Sequence, residues 1–199
     1  MNDGKLIVFE GIDGCGKSTQ LALAAKALRA RGLDVIETRE PTDGPFGRRI
    51  REMARSGERV PPEIELEWFF EDRREHMRDL VEPALAAGKL VLSDRSYVST
   101  VAYQGARGLD PKRILAASEA EFRHPDLVLV FVLSAEDGMA RIEARGAIVE
   151  TAFEELGFQH RVAAAFAALE IDGLTRIDAL RDPESIAKDV LDAIDRILD

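Results

Sequence analysis

Cysteine is nearly missing from this chain. Among 199 residues only Cys15 carries a thiol, so no internal disulfide can form and a reducing compartment, the cytoplasm, is expected. Long apolar runs are missing as well. The longest, Leu127 to Leu133, is too short for a bilayer and reads as a buried strand, so no membrane partner is expected. The opening MNDGKLIVFE has no extended apolar core of the kind a secretion signal needs. Positive charge is in deficit. With 27 Lys and Arg against 37 Asp and Glu the formal net charge is −10, which argues against nucleic acid as a partner. His76, His124 and His160 show no metal-ligand spacing and no cysteine cluster exists, so bound zinc is not expected.

What is present suits one globular domain, 1–199. Hydrophobic residues make up 46% of the chain, and a chain of this length can bury roughly 70% of its unfolded surface. Lys5–Phe9, Asp34–Thr38, Leu90–Ser93, Leu127–Leu133 and Leu174–Ile177 are apolar without period-two alternation, so they read as strands covered on both faces. Helical patterns fill the gaps at Ser18–Arg31, Phe46–Arg55, Pro62–Ala87, Pro111–Phe122, Glu136–Arg145, Thr151–Ile171 and Pro183–Leu198. Pro83 is expected to kink or split the longest. The alternation predicts a doubly wound α/β fold, with about five parallel strands and helices on both faces. Ligands of such sheets lie beyond the carboxyl ends of the strands. Here those ends are the loop after Phe9, Arg39-Glu40-Pro41 and Asp94-Arg95, and they are expected to converge.

The most specific signal is LIVFEGIDGCGKSTQ at residues 6–20, a strand running into G-x-x-x-x-G-K-[ST] at Gly11, Gly16, Lys17 and Ser18, then a helix. Glycines let backbone N–H groups converge on a polyphosphate, Lys17 reaches the β- and γ-phosphates, and the Ser18 hydroxyl can hold Mg²⁺. The helix that opens there adds its positive dipole end. A nucleoside triphosphate is therefore the expected ligand. Asn2 is the sole asparagine, so the Asn-Lys-x-Asp guanine motif of a GTPase switch cannot exist. Asp94 closes an apolar strand, the pattern that places an acid near Mg²⁺; the competing reading is the cap of a helix beginning at Ser96, and the position after a core strand favours the metal role. Arginines crowd around Arg48–Arg55, Arg73–Arg78 and Arg95. About half read as solvated faces, and the rest predict a compact anion site.

FEGIDGCGKSTQ, T-R-E-P at Thr38–Pro41, Trp68–Arg73 with His76, D-R-S-Y-V-S-T-V-A-Y-Q-G at Asp94–Gly105, and His124–Leu127 together resemble the thymidylate kinases, in order and spacing. The resemblance covers nearly the whole chain. It implies a P-loop nucleoside-monophosphate-kinase fold and transfer of the ATP γ-phosphate to dTMP with Mg²⁺, giving dTDP and ADP for dTTP synthesis. It also implies a homodimer.

By matching positions, the resemblance implies that ATP is held by the loop from Gly11 through Ile12, Asp13, Gly14, Cys15 and Gly16 to Lys17, Ser18 and Thr19. Ser18 and Asp94 would arrange Mg²⁺. Lys17, Asp13 and Arg95 would serve catalysis, with Asp13 contacting the acceptor 3′-hydroxyl or steering a phosphate-binding arginine. Arg39, Arg51 and Arg95 would surround the acceptor phosphate, and Glu40 and Pro41 would shape the sugar pocket. Phe69 would stack on thymine, and Arg73, assisted by Thr100, would donate to a thymine carbonyl. Tyr103 would crowd the 2′ position, with Ser99 and Gln104 supporting the nucleotide. Read without the family, Phe69 and Tyr103 are better taken as core rings and Arg73 as a surface ion pair.

Some positions depart from the family pattern. Gly14 stands where other members place an arginine, and the lid Asp-Arg pair of bacterial members falls on Val149 and Glu150. Neither residue can neutralise a transferring phosphoryl group. Arg141 and Arg145, one helical turn apart in a lid of about 136–160, are the candidates for that role. Ser96 replaces an aromatic or histidine, and Thr42-Asp43 replaces a glycine pair. Cys15 reads as a small filler, or as a thiol activated by the helix N-terminus. Two alternatives stay open: a P-loop kinase with another nucleotide acceptor, and a weakly active nucleotide-binding regulatory relative.

Overall fold

The computed structural model describes residues 4–144 and 152–198. Five strands form within a residue or two of the expected places: β1 Lys5–Glu10, β2 Val35–Arg39, β3 Leu90–Asp94, β4 Leu127–Val132 and β5 Leu174–Asp178. They make one all-parallel sheet in the order β2-β3-β1-β4-β5. The three central strands are buried almost throughout, as covered parallel strands must be, whereas the edge strands β2 and β5 are half exposed. Phe9 and Phe131 stack across the centre with ring centroids 5.9 Å apart. From β1 the chain builds out to one edge, returns at β3, then crosses to β4 on the other flank. The carboxyl end of β1 is therefore the switch point, where such sheets open a crevice.

The helices are α1 Lys17–Ala30, α2 Pro45–Ser56, α3 Pro62–His76, α4 Glu82–Ala86, α5 Tyr97–Ala106, α6 Pro111–Glu121, α7 Ala135–Glu143, α8 Ala152–Ala168 and α9 Pro183–Leu198. They pack around the sheet, α1 against α9, and α5 among α3, α6 and α8. Proline, whose missing N–H costs nothing in a first turn, opens α2, α3 and α6.

Two elements differ from expectation. The predicted helix Pro62–Ala87 does split, but upstream of its proline: α3 passes into a π-helical segment, Met77–Val81, and Pro83 lies in the first turn of α4. A wider turn ahead of the ring removes the clash with the preceding carbonyls. The second difference is α5, which the helical patterns omitted. Seven of its ten residues are buried, so no amphipathic stripe marks it. Its N-cap is Ser96, whose Oγ accepts from Val98 N at 3.2 Å, so Asp94 is not a helix cap.

Candidate active site

The loop between β1 and α1 is shaped by glycine. Gly14 and Gly16 hold φ at +81° and +91°, left-handed values that a side chain resists. At Gly14 an added Cβ would also run into the backbone of Gly138 in α7. No arginine fits there, which accounts for the departure at that position. Lys17, the first residue of α1, is buried, with Nζ 3.4 Å from Ile12 O and 3.5 Å from Asp13 Oδ1. Asp13, Gly14, Gly16, Lys17, Ser18, Thr19 and Ile142 line a cavity of about 380 Å³.

Not every loop residue faces that cavity. The Gly11 carbonyl accepts from Arg95 Nη1 at 3.2 Å, and the Ile12 and Cys15 side chains are sunk in the core. These three shape the loop rather than line it. Burial pushes the Cys15 thiol up despite the Lys17 charge, which favours Cys15 as a small filler over an activated thiol. The Ser18 hydroxyl donates to Asp94 Oδ2 at close range. A hydroxyl and a carboxylate side by side fit Mg²⁺, which takes few protein oxygens and completes its shell with water and phosphate. Among the described residues there is no cluster of three or more His, Cys, Asp or Glu fit to cage a metal.

Arg95 ties this loop to the end of β3. Its backbone sits at φ +81°, the only positive value at a non-glycine among the described residues, and its N–H donates to Phe9 O at 3.0 Å. Nη1 donates to Ser99 Oγ at 2.8 Å, and Nη2 to Asp13 Oδ1 at 2.5 Å and the Tyr103 hydroxyl at 3.1 Å. The guanidinium also lies 4.9 Å from the Tyr103 ring centre. Burial would raise the Asp13 carboxyl, but Arg95 and Lys17 together hold it below its ordinary value. Tyr103 is pushed above the ordinary phenol range by burial.

A second cavity of about 480 Å³ opens on the other side of Arg95. Of the expected acceptor residues, Pro41, Phe69, Arg95, Ser99, Thr100, Tyr103 and Gln104 line it. Phe69 is half-buried at its wall, so the reading of Phe69 as plain core does not hold. Glu40, Arg51, Arg73 and Arg39 do not line it. Glu40 and Arg73 form a buried pair behind the wall, Arg73 Nε and Nη2 donating to Glu40 Oε2 at 2.9 and 2.6 Å. His76 Nδ1 lies 3.0 Å from Glu40 Oε1, and Arg73 Nη2 donates to Thr100 Oγ1 at 3.0 Å. Arg73 is thus no surface ion pair. Burial would raise the Glu40 carboxyl, but the Arg73 charge and His76 hold it down. Arg39 and Arg51 turn instead to Asp43, the substituted glycine position.

Apart from Glu65 Oε2 and Arg107 Nη1, which face each other as an ion pair, three buried atoms here have no hydrogen-bond partner among the described residues: Arg73 Nη1, Gln104 Oε1 and Gln159 Oε1. Unpaired buried polar atoms beside a cavity fit an edge-bonding polar ligand such as a nucleobase. Gln159 and Phe158 of α8, with Arg59, Glu65 and Arg107, line the cavity without having been expected. Nothing in their spacing marks them. Glu10 was also missed. It is fully buried, accepting from Ser96 Oγ at 2.7 Å and Ser99 Oγ at 2.5 Å, and burial raises its carboxyl. A lone acid closing the apolar LIVF strand was its available signal.

Of the two lid candidates, Arg141 does not line the phosphate cavity. Its Nη2 donates to Ala179 O at 2.9 Å and its Nη1 lies 3.5 Å from Gly14 O, beside the loop. Arg145, Val149 and Glu150 lie outside the described residues.

A thymidylate kinase family model matches residues 9–190. A thymidylate kinase of Desulfotalea psychrophila is 41% identical over 197 residues, covering 99% of this chain and 97% of the relative. Those of Akkermansia muciniphila and Xanthomonas campestris are 42% and 43% identical over 191 and 185 residues, covering 96% and 93% of this chain and 91% and 80% of theirs. Similarity of that extent, on a parallel sheet with a phosphate loop at its switch point and a nucleotide-sized cavity beside it, leaves one assignment: the chain belongs to the thymidylate kinase family.

Proposed function

We propose that this protein is an ATP-dependent dTMP kinase that turns ATP and dTMP into ADP and dTDP. One observation carries the reading: the Arg95 guanidinium spans the phosphate loop and the second cavity, bonded to Asp13 on one side and to Ser99 and Tyr103 on the other. Donor and acceptor phosphates bound in the two cavities would meet at that group.

Phosphoryl transfer needs alignment and charge neutralisation more than covalent help. Loop amides and Lys17 hold the donor. An ionised oxygen of the dTMP phosphate attacks the γ-phosphorus, and the bond to the β,γ-bridging oxygen breaks, releasing ADP. The attacking oxygen carries no proton, so no general base is needed. Lys17 and Arg95 stabilise charge on the equatorial oxygens, and Asp13 keeps Arg95 aimed. Ser18 and Asp94 would hold Mg²⁺, which when bound would supply further neutralisation of the donor phosphates. Phe69 offers a flat face to the base, while Gln104 and Thr100 offer edge hydrogen bonds, and Arg73 behind the wall holds the Thr100 hydroxyl. Tyr103 occupies the side where a ribose 2′-hydroxyl would lie.

We assign the remaining transition-state cation to Arg141 or Arg145 of a lid at about 136–160, because Gly14 leaves no room for one inside the loop. Replacing the acting arginine by alanine should cost about 10³-fold or more in kcat. Turnover unchanged in both Arg141→Ala and Arg145→Ala would overturn this assignment. We further propose that residues 1–199 act as one kinase domain, as a homodimer in the cytoplasm. The reaction is tested by coupled ADP release over a panel of nucleoside monophosphates, with Lys17→Ala as control. The expected result is turnover with dTMP well above the other acceptors, lost in the variant. Equal rates without any acceptor would sink it.

A further inference from the structure

Asp43 sits among cations. Its Oδ1 accepts from Arg39 Nη2 at 3.0 Å and from Arg51 Nη2 at 2.8 Å, and its carbonyl accepts from Arg48 Nη1 at 2.5 Å. The loop that presents it is firmly built. Asp72 accepts from Thr42 N at 2.8 Å and Thr42 Oγ1 at 2.6 Å, and Gly44 N donates to Thr42 Oγ1 at 3.0 Å. Gly47 lets α2 close on this loop, since a Cβ there would strike the Thr42 carbonyl. The Asp43 side chain itself is 77% exposed, and among the described residues only the two guanidinium groups hold it.

Each of those arginines adjoins the site without lining either cavity. Arg39 pairs with Asp94 in the sheet register and lines a groove with Asp94 and Ser18. Arg51 Nη1 donates at 2.8 Å to the carbonyl of Pro41, which lines the acceptor cavity. An acceptor phosphate extending past Pro41 toward the groove at Asp94 and Ser18 would come within reach of both.

We propose that Asp43 is a built-in anion that competes with the acceptor phosphate for Arg39 and Arg51, so that acceptor binding displaces its carboxylate. The inference rests on the dTMP reading above. A carboxylate offers one charge and two oxygens to a guanidinium fork, whereas a nucleotide phosphate offers nearly two charges and three oxygens. The phosphate wins, but against occupied partners, so it binds less tightly than to free arginines. In the empty enzyme the carboxylate offsets the mutual repulsion of the two cations. A monoanionic group gains too little to displace it, which makes the site selective for dianions.

Calorimetric titration of the full-length protein with dTMP and, in parallel, with thymidine tests this. Exposed ion pairs are worth about two- to fivefold each, so losing two of them in Asp43→Asn should lower the dTMP Kd by about four- to 25-fold at low salt. The gain should shrink as salt is added, and thymidine, lacking the phosphate, should bind both proteins equally. Asp43→Ala should act in the same direction, and its thermal midpoint checks that the Thr42–Asp72 anchor persists. Unchanged or weaker dTMP binding overturns the proposal, because the carboxylate then orients the arginines. Thymidine tightening by the same factor overturns it too. Wild-type protein binding neither ligand would remove the acceptor reading, and this inference with it. Wild-type protein binding dTMP, with Asp43→Asn no tighter, would remove this inference alone.

Discussion

Glu10 and Arg95 show how much of the site depends on single residues held under constraint. Ser99 links them, donating to Glu10 and accepting from Arg95, so the buried carboxylate helps fix the guanidinium that lines the second cavity and bonds to Asp13 of the phosphate loop. Burial raises the Glu10 carboxyl above its ordinary 4.5, so folding favours its protonated form. Its stabilising contribution is whole below pH 4.5 and is lost as pH rises through the folded value. Gln in its place has no such dependence, and the two serine hydroxyls can still bond it. The melting temperature of Glu10→Gln minus that of the wild type should therefore climb as pH rises from 4.5 toward neutrality. A difference that stays flat over that range would show that Glu10 does not titrate as described.

At the scale of elements, α7 and the phosphate loop pack backbone to backbone. A Cβ on Gly138 would lie 2.8 Å from Asp13 O and 2.9 Å from Ile12 Cδ1. Helix propensity favours alanine over glycine by about 1 kcal/mol. Overpacking costs about 1–3 kcal/mol, and here the obstacle includes a carbonyl that cannot swing aside. Gly138→Ala should therefore destabilise the protein by about 1–2 kcal/mol net and weaken ATP binding, as read by the denaturant midpoint and an ATP titration. A more stable variant with unchanged ATP affinity would overturn this. Much of this layout was legible in the sequence. The five strands follow from apolar runs, and the loop from Gly11, Gly16, Lys17 and Ser18. Helix α5 escaped because burial on most sides erases the apolar stripe. Arg39 and Arg51 escaped their expected cavity because Asp43 draws them aside, a pairing that side-chain geometry sets and spacing cannot encode. Gln159 came from α8, far along the chain, and only tertiary packing brings it to the wall.

Across the whole molecule, a net charge of −10 coexists with a knot of arginine and lysine at the carboxyl ends of β1, β2 and β3. Anion affinity is local, while the exterior as a whole repels polyanions. Ligands that bridge three strand ends should stabilise the fold cooperatively. A ligand present at about 100 times its Kd adds about 2.7 kcal/mol, or about 5–10 °C for a domain of this size. In differential scanning fluorimetry ATP and dTMP should each produce such a shift. A shift with GMP or AMP in place of dTMP would reassign the acceptor.

The close approach of Gly14 to α7 also bears on ancestry. A lineage with this backbone cannot acquire a loop arginine in one step, since the substitution would meet a wall before its charge could be useful. The helix must retreat first, through variants that gain nothing from the move. Descendants of this protein should therefore keep the glycine wherever that helix keeps its own.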